Sequence, residues 1–112
     1  MSKDNTVYLR HIVDAIETIE GFLENAREEE FYKNKLLQDG VIRNLEIIGE
    51  AAKHVPARLR DKCPGVEWNK VSGMRDVLIH NYFGVDLEIV WRVVEKRLPK
   101  LKRQIGRLIA SL

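Results

Sequence analysis

Apolar residues recur along this chain at steps of three and four with few interruptions. Tyr8, Ile12, Ala15, Ile16, Ile19, Phe22 and Leu23 make the first such series, and on a helix they share one face. Asn5 and Thr6 stand just before it as candidate N-caps. Gly21 weakens this helix slightly without ending it. A second series, Leu37, Val41, Leu45, Ile48, Ala52 and Val55, predicts a longer helix over 28–54. Its acidic start, Glu28, Glu29 and Glu30, suits the positive end of the helix dipole. Gly49 inside it suggests close approach of a neighbouring element.

The stretch PARLRDKCPGVEW at 56–68 holds two prolines and a glycine, and predicts one helical turn at 57–61 followed by an irregular loop. A third helix is expected over 68–82, with Val71, Met74, Val77 and Leu78 on its apolar side. Gly84 ends it and Asp86 caps the next. The last segment has the clearest period: Leu87, Trp91, Val94, Leu98, Leu101, Ile105, Leu108 and Leu112 alternate steps of four and three, a heptad-type seam. Pro99 lies inside it. A proline has no N–H for the carbonyl four residues back, and because the seam stays in phase a kink is expected rather than a stop. These patterns predict an all-α fold: an antiparallel helical bundle of four long helices plus one short helical turn, formed by one domain spanning all 112 residues. The seam fits packing within one chain and pairing between two.

Charge changes this picture only locally. The net charge is +2, too small to indicate a partner. Yet residues 1–31 carry eight acids and three bases, while residues 92–107 carry seven bases and one acid. Such a basic flank can attract phosphates, or serve as a solvated helix face. Cys63 is the only cysteine, which excludes an intramolecular disulfide, and no Cys/His spacing suits zinc. The first 17 residues are charged throughout. We therefore expect no signal peptide or membrane span, and a cytoplasmic location.

The segment MRDVLIHNYF at 74–83 combines an apolar run with five polar heads. On a helix, Asp76 and His80 share a face, and Arg75 and Tyr82 fall within roughly 20° of each other. Arg75 and His80 diverge by about 140° and rise about 7.5 Å. Arginine can hold a phosphate through paired hydrogen bonds, and histidine exchanges protons near neutral pH. Together they match phosphodiester cleavage that needs no metal or other cofactor. In that scheme Asp76 orients the imidazole, Asn81 supports the site, and Tyr82 contacts a base or phosphate. Because one helix brings Arg75 and His80 together poorly, two copies facing across a two-fold axis give the better cleft. The same residues also fit a structural role: Arg75 and Asp76 as surface charges, His80 as a cation at a helix C-terminus, Tyr82 as a packing residue. On the second helix, Arg43, Asn44, Glu46 and Glu50 can back such a cleft, hold Arg75 by an ion pair, or make helix-to-helix polar contacts. His11 and His54 read as surface histidines.

The motif Arg75, Asp76, His80, Tyr82, within WNKVSGMRDVLIHNYFGVDLEIVW, resembles the HepT family of the HEPN superfamily, whose pattern is R-x-x-x-x-H-x-Y. VIRNLEIIGEAAKHVP resembles that family's second helix. The resemblance implies a metal-independent endoribonuclease that acts on RNA as the toxin of a type VII toxin–antitoxin system, built as a homodimer with the motif lining a cleft between protomers. It further implies a MntA-like nucleotidyltransferase as antitoxin, which silences the toxin by transferring AMP to the motif tyrosine, here Tyr82. The alternative is a non-catalytic helical partner, or substrate-binding subunit, of such a transferase.

Overall fold

Five apolar residues, Leu9, Ile12, Ala15, Ile16 and Ile19, are buried along one side of the first helix, α1 (Val7–Phe22). In this computed structural model residues 6–80 and 86–112 are described, with the backbone alone for 75–80. Thr6 takes the N-cap position of α1 in helical geometry (φ −92°, ψ −8°) and does not make the usual side-chain cap bond; Asn5 lies outside the described residues. Leu9, which the three-and-four series left out, is fully buried, whereas Phe22 is 45% exposed. Phe22 instead lays its ring on the backbone of the long helix: a Cβ placed on Gly40 would lie 2.9 Å from Phe22 Cε2.

The expected second helix over 28–54 is two helices. α2 (Glu28–Lys33) and α3 (Lys35–His54) meet at Asn34, whose backbone is extended (φ −112°, ψ 100°). Asparagine competes with the helix for local hydrogen bonds, and here its Oδ1 accepts from Leu37 N at 3.0 Å, capping α3. Gln38 Nε2 reaches back to the carbonyls of Phe31 (2.9 Å) and Tyr32 (3.2 Å) at the end of α2. Both broken ends are thus satisfied locally. Asn34→Ala is expected to cost about 1 kcal/mol, the usual worth of an N-cap, and the denaturant midpoint should fall with no change in slope; an unchanged midpoint would show that the cap contributes nothing.

Along α3, Val41, Leu45, Ile48, Gly49, Ala51 and Ala52 are buried. α1 and α3 run antiparallel. Tyr8 at the start of α1 stacks on His54 at the end of α3, while Phe22 at the other end of α1 meets Gly40. α4 (Ala57–Asp61) is the expected single turn. Its Arg60 donates from Nε to Val55 O (2.9 Å) and from Nη2 to Lys53 O (3.1 Å). A cation at the negative end of α3 satisfies the helix's last carbonyls.

α5 (Trp68–His80) follows, then α6 (Leu87–Arg92), a π turn (Val93–Arg97) and α7 (Leu98–Ser111). Asp86 caps α6 as expected, its Oδ1 accepting from Glu88 N and Ile89 N. Gly84 and the expected end of the third helix lie outside the described residues. Pro99 is accommodated by the π turn: Leu98 N–H bonds to Val93 O, five residues back. The widened turn makes room for a ring that would strike the carbonyl of an ordinary turn. It also shifts the seam. Leu98, Leu101, Ile105 and Leu108 are buried as expected, but before the turn Val90 is the buried residue, while Leu87, Trp91 and Val94 are half-buried. Leu112 is 49% exposed. The buried part of the seam joins a core shared with α1 and α3. On its flank, Lys102 Nζ bridges Glu20 (2.8 Å) and Glu17 (3.6 Å) of α1, and the hydrogen bond to Glu20 raises the ammonium pKa. Among the described residues the fold is an all-helical bundle, with no strand. No described helix is long and apolar enough to cross a membrane.

Candidate functional site

α5 is anchored at its start. Trp68 is 8% exposed, and its Nε1–H donates to Cys63 O at 3.1 Å, tying the helix to the loop before it. Val71 and Met74 then pack against the core from half-buried positions. From this anchor the helix runs unbroken to His80. It therefore carries residues 75, 76 and 80 at the spacing of a regular helix, about 140° and 7.5 Å between 75 and 80. The side chains of Arg75, Asp76, Val77, Leu78 and His80 lie outside the described residues, as do Asn81 and Tyr82 entirely.

The second-helix candidates are divided. Arg43, Glu46 and Glu50 line one groove of ≈ 260 Å³ between α3 and α1. At 100° per residue these three and His54 fall within about 80° of each other. Asn44 is turned away and donates from Nδ2 to Gly40 O at 2.9 Å, a helix-internal bond. The two histidines read as ordinary surface residues both engage Tyr8 in the same groove. The Tyr8 ring stacks on His54 (5.0 Å, 25°) and meets His11 edge-on (5.8 Å, 88°), and His54 Nε2 lies 3.1 Å from Glu50 Oε2. Sequence spacing could have suggested part of this, because Glu50 and His54 are four apart on α3; Tyr8 and His11 join them only through the tertiary fold.

The other flank of α5 is basic. Two adjoining hollows, ≈ 340 and ≈ 320 Å³, share Lys70, Met74, Val93 and Arg97. They follow α5 up to Gly73 and Met74, directly before position 75. Glu67 feels this charge: its hydrogen bond to Lys70, with Arg97 and Lys100 nearby, lowers its carboxyl pKa. A broader hollow of ≈ 600 Å³ lies at the opposite, N-terminal end of α5, between Arg60 and Asn69. Among the described residues no group of three His, Cys, Asp or Glu side chains could hold a metal ion.

Residues 12–108 match the family described as Ribonuclease HepT-like. Over all of its length the chain is 46% identical to a Methanocaldococcus jannaschii protein named "Gamma-glutamylcyclotransferase and putative RNase", and it spans half of that protein. It is 42% identical over 108 residues to "Probable ribonuclease HepT" of Thermococcus cleftensis, covering 96% of this chain and 98% of the relative. A third relative, named "Putative RNase", from Caldanaerobacter subterraneus, is 39% identical over 102 residues, 91% of each chain. No solved structure matches the chain.

Proposed function

Since the chain belongs to the ribonuclease HepT-like family, we propose that it is a metal-independent endoribonuclease and the toxin of a toxin–antitoxin pair, working in the cytoplasm as a homodimer. The observation that carries this reading is the unbroken course of α5 to His80 inside the family-matched span. One rigid helix then holds the motif's arginine and histidine at a constant separation, and a second copy supplies the complementary pair.

Cleavage follows from the two groups. One His80 takes the proton of a ribose 2′-hydroxyl as its oxygen attacks the neighbouring phosphorus. Arg75 stabilises the charge gathering on the non-bridging oxygens. The bond to the 5′-oxygen breaks, and that oxygen leaves with a proton delivered by the partner protomer's imidazole. The products are a 2′,3′-cyclic phosphate and a 5′-hydroxyl. Asp76, one turn before His80, holds the imidazole in the working orientation, and Asn81 supports it. Arg43, Glu46 and Glu50 back the cleft from α3.

Tyr82 is the proposed point of control. A MntA-like nucleotidyltransferase places AMP on its hydroxyl, and the added anion occupies the place of the RNA phosphate and repels the backbone. The purified protein with a defined RNA is expected to cleave in the presence of a chelator. Co-expressed with its transferase, Tyr82→Phe should stay toxic where the wild type is silenced. Silencing of Tyr82→Phe by modification would refute the control step alone. Nucleotide transfer with no cleavage by either protein would favour the non-catalytic partner.

A further inference from the structure

The seven bases of residues 92–107 do not form one uniform face. Lys102 is neutralised by Glu17 and Glu20 of α1. Lys96, Arg97 and Lys100, all exposed, gather instead along the hollow beside α5, where Lys70 joins them from α5 itself. Lys70 pairs with Glu67 at 2.9 Å, whereas Lys96, Arg97 and Lys100 have no carboxylate partner among the described residues. Four cations therefore face one acid. Below them the floor is apolar, made of Val71, Met74, Val93 and Leu101. The adjoining hollow continues it past Gly73, where an added Cβ would meet nothing within 4 Å, to Ile89, which is 58% exposed.

A cationic rim over an apolar floor is how proteins hold single-stranded nucleic acid without reading its sequence: the rim follows the phosphates and the floor receives base faces. An acidic protein surface would match the rim but leave the floor unused. The groove runs along α5 through Gly73 and Met74, the residues that directly precede Arg75 in the helix. We propose that this groove, rimmed by Lys70, Lys96, Arg97 and Lys100, is the track for the single-stranded RNA flanking the cleaved phosphate. This rests on the ribonuclease reading and adds the path by which substrate reaches the motif helix.

The test uses the full-length protein and a labelled single-stranded oligonucleotide lacking 2′-hydroxyls, which the proposed chemistry cannot cut. Its affinity is measured by fluorescence anisotropy from 50 mM to 1 M KCl. The groove variant is Lys96→Gln, Arg97→Gln and Lys100→Gln together. The control removes the same charge elsewhere, with Arg10→Gln, Lys33→Gln and Arg58→Gln, all exposed positions. For single strands each lost phosphate contact flattens the slope of log affinity against log salt by about 0.7. The groove variant is expected to lose about two units of slope and on the order of 100-fold affinity at 50 mM salt, with the control close to wild type. Equal losses in both variants, an unchanged slope in the groove variant, or no binding by the wild type overturns the proposal. So does a groove variant that binds normally but no longer self-associates in sedimentation, because the groove would then be an interface between copies. Cleavage of a ribo-oligonucleotide is followed separately. If Arg75→Ala and His80→Ala abolish cutting while the groove variant binds like wild type, the track fails and the ribonuclease reading stands. If those two variants still cut, that reading fails on its own.

Discussion

Arg75→Ala and His80→Ala are each expected to lower RNA cleavage by about 10²–10⁴-fold, the range for removing a general acid–base or a donor to developing charge. The loss should appear in the rate at saturating RNA, because in the proposed mechanism both groups act most strongly on the transition state. Arg75→Lys should recover part of the rate, since charge remains while the planar two-pronged hydrogen bonding is lost. The separation of the two positions on α5 adds a sharper expectation. If a working site takes its arginine from one protomer and its histidine from the other, mixing the two inactive variants rebuilds one competent pairing per heterodimer. Activity should then return in the mixture. Wild-type rates in either single variant would remove these residues from the chemistry. Inactive variants that stay inactive when mixed would keep the chemistry and dismiss the shared cleft.

The largest stability effect is expected at Phe31. It is fully buried and is the one buried residue of the six-residue α2. Its ring lies 5.5 Å from that of Trp91 and 5.9 Å from that of Tyr32. A helix this short does not persist through its own hydrogen bonds; α2 stays in place because this ring is held against α6. Tyr32 adds a local tie, its hydroxyl donating to Glu28 Oε2 at 2.6 Å, a bond that pushes the phenol pKa up to about 12. That pair is solvent-exposed and cannot replace the buried ring. Phe31→Ala should cost about 3–5 kcal/mol, a large share of the roughly 5–15 kcal/mol by which domains are stable, and lower the melting temperature on the order of 10–20 °C. Trp91 emission should shift to the red as water reaches its ring. Leu36→Ala, at a residue 83% exposed, should stay within about 0.5 kcal/mol of wild type. A shift of only a few degrees for Phe31→Ala would mean that α2 is held by something else.

Much of the architecture was legible because burial imposes periodicity. The faces of α1 and α3, the turn at Ala57–Asp61 and the cap at Asp86 all follow from spacing and cap chemistry. Two features were not read, and both concern local hydrogen bonding. At Asn34 the helical pattern continues on both sides, so periodicity carries no break; the signal was the asparagine itself, with Gln38 four residues on to satisfy the preceding carbonyls. At Pro99 the in-phase seam pointed to a kink, and the π turn resolved the same steric conflict by changing phase. The candidate motif was legible in residue type and spacing, while its side chains lie outside the described residues. The basic groove was legible only as a charge excess, because Lys70 of α5, Lys96 and Arg97 of the π turn and Lys100 of α7 come to line one hollow only in the folded chain. The Tyr8–His54 stack is likewise a product of the antiparallel pairing of α1 and α3.

The turn at Val93–Arg97 holds one amino acid more than a plain spiral would need over the same rise. Excising a single residue there would let the coil close in the ordinary way with α6 keeping its facing, because Val90 and Leu98 would then stand seven apart and within about 20° of each other. An ordinary spiral forced on the unshortened chain would instead spin everything upstream by about 100°, taking Val90 out of the interior and turning Trp91 towards it. The surplus residue and the widened turn therefore compensate each other, and the packing of α6 depends on their staying matched. An added residue, harmless in many surface loops, would have no second widening to absorb it and would misalign α6 as a slipped thread misaligns a screw.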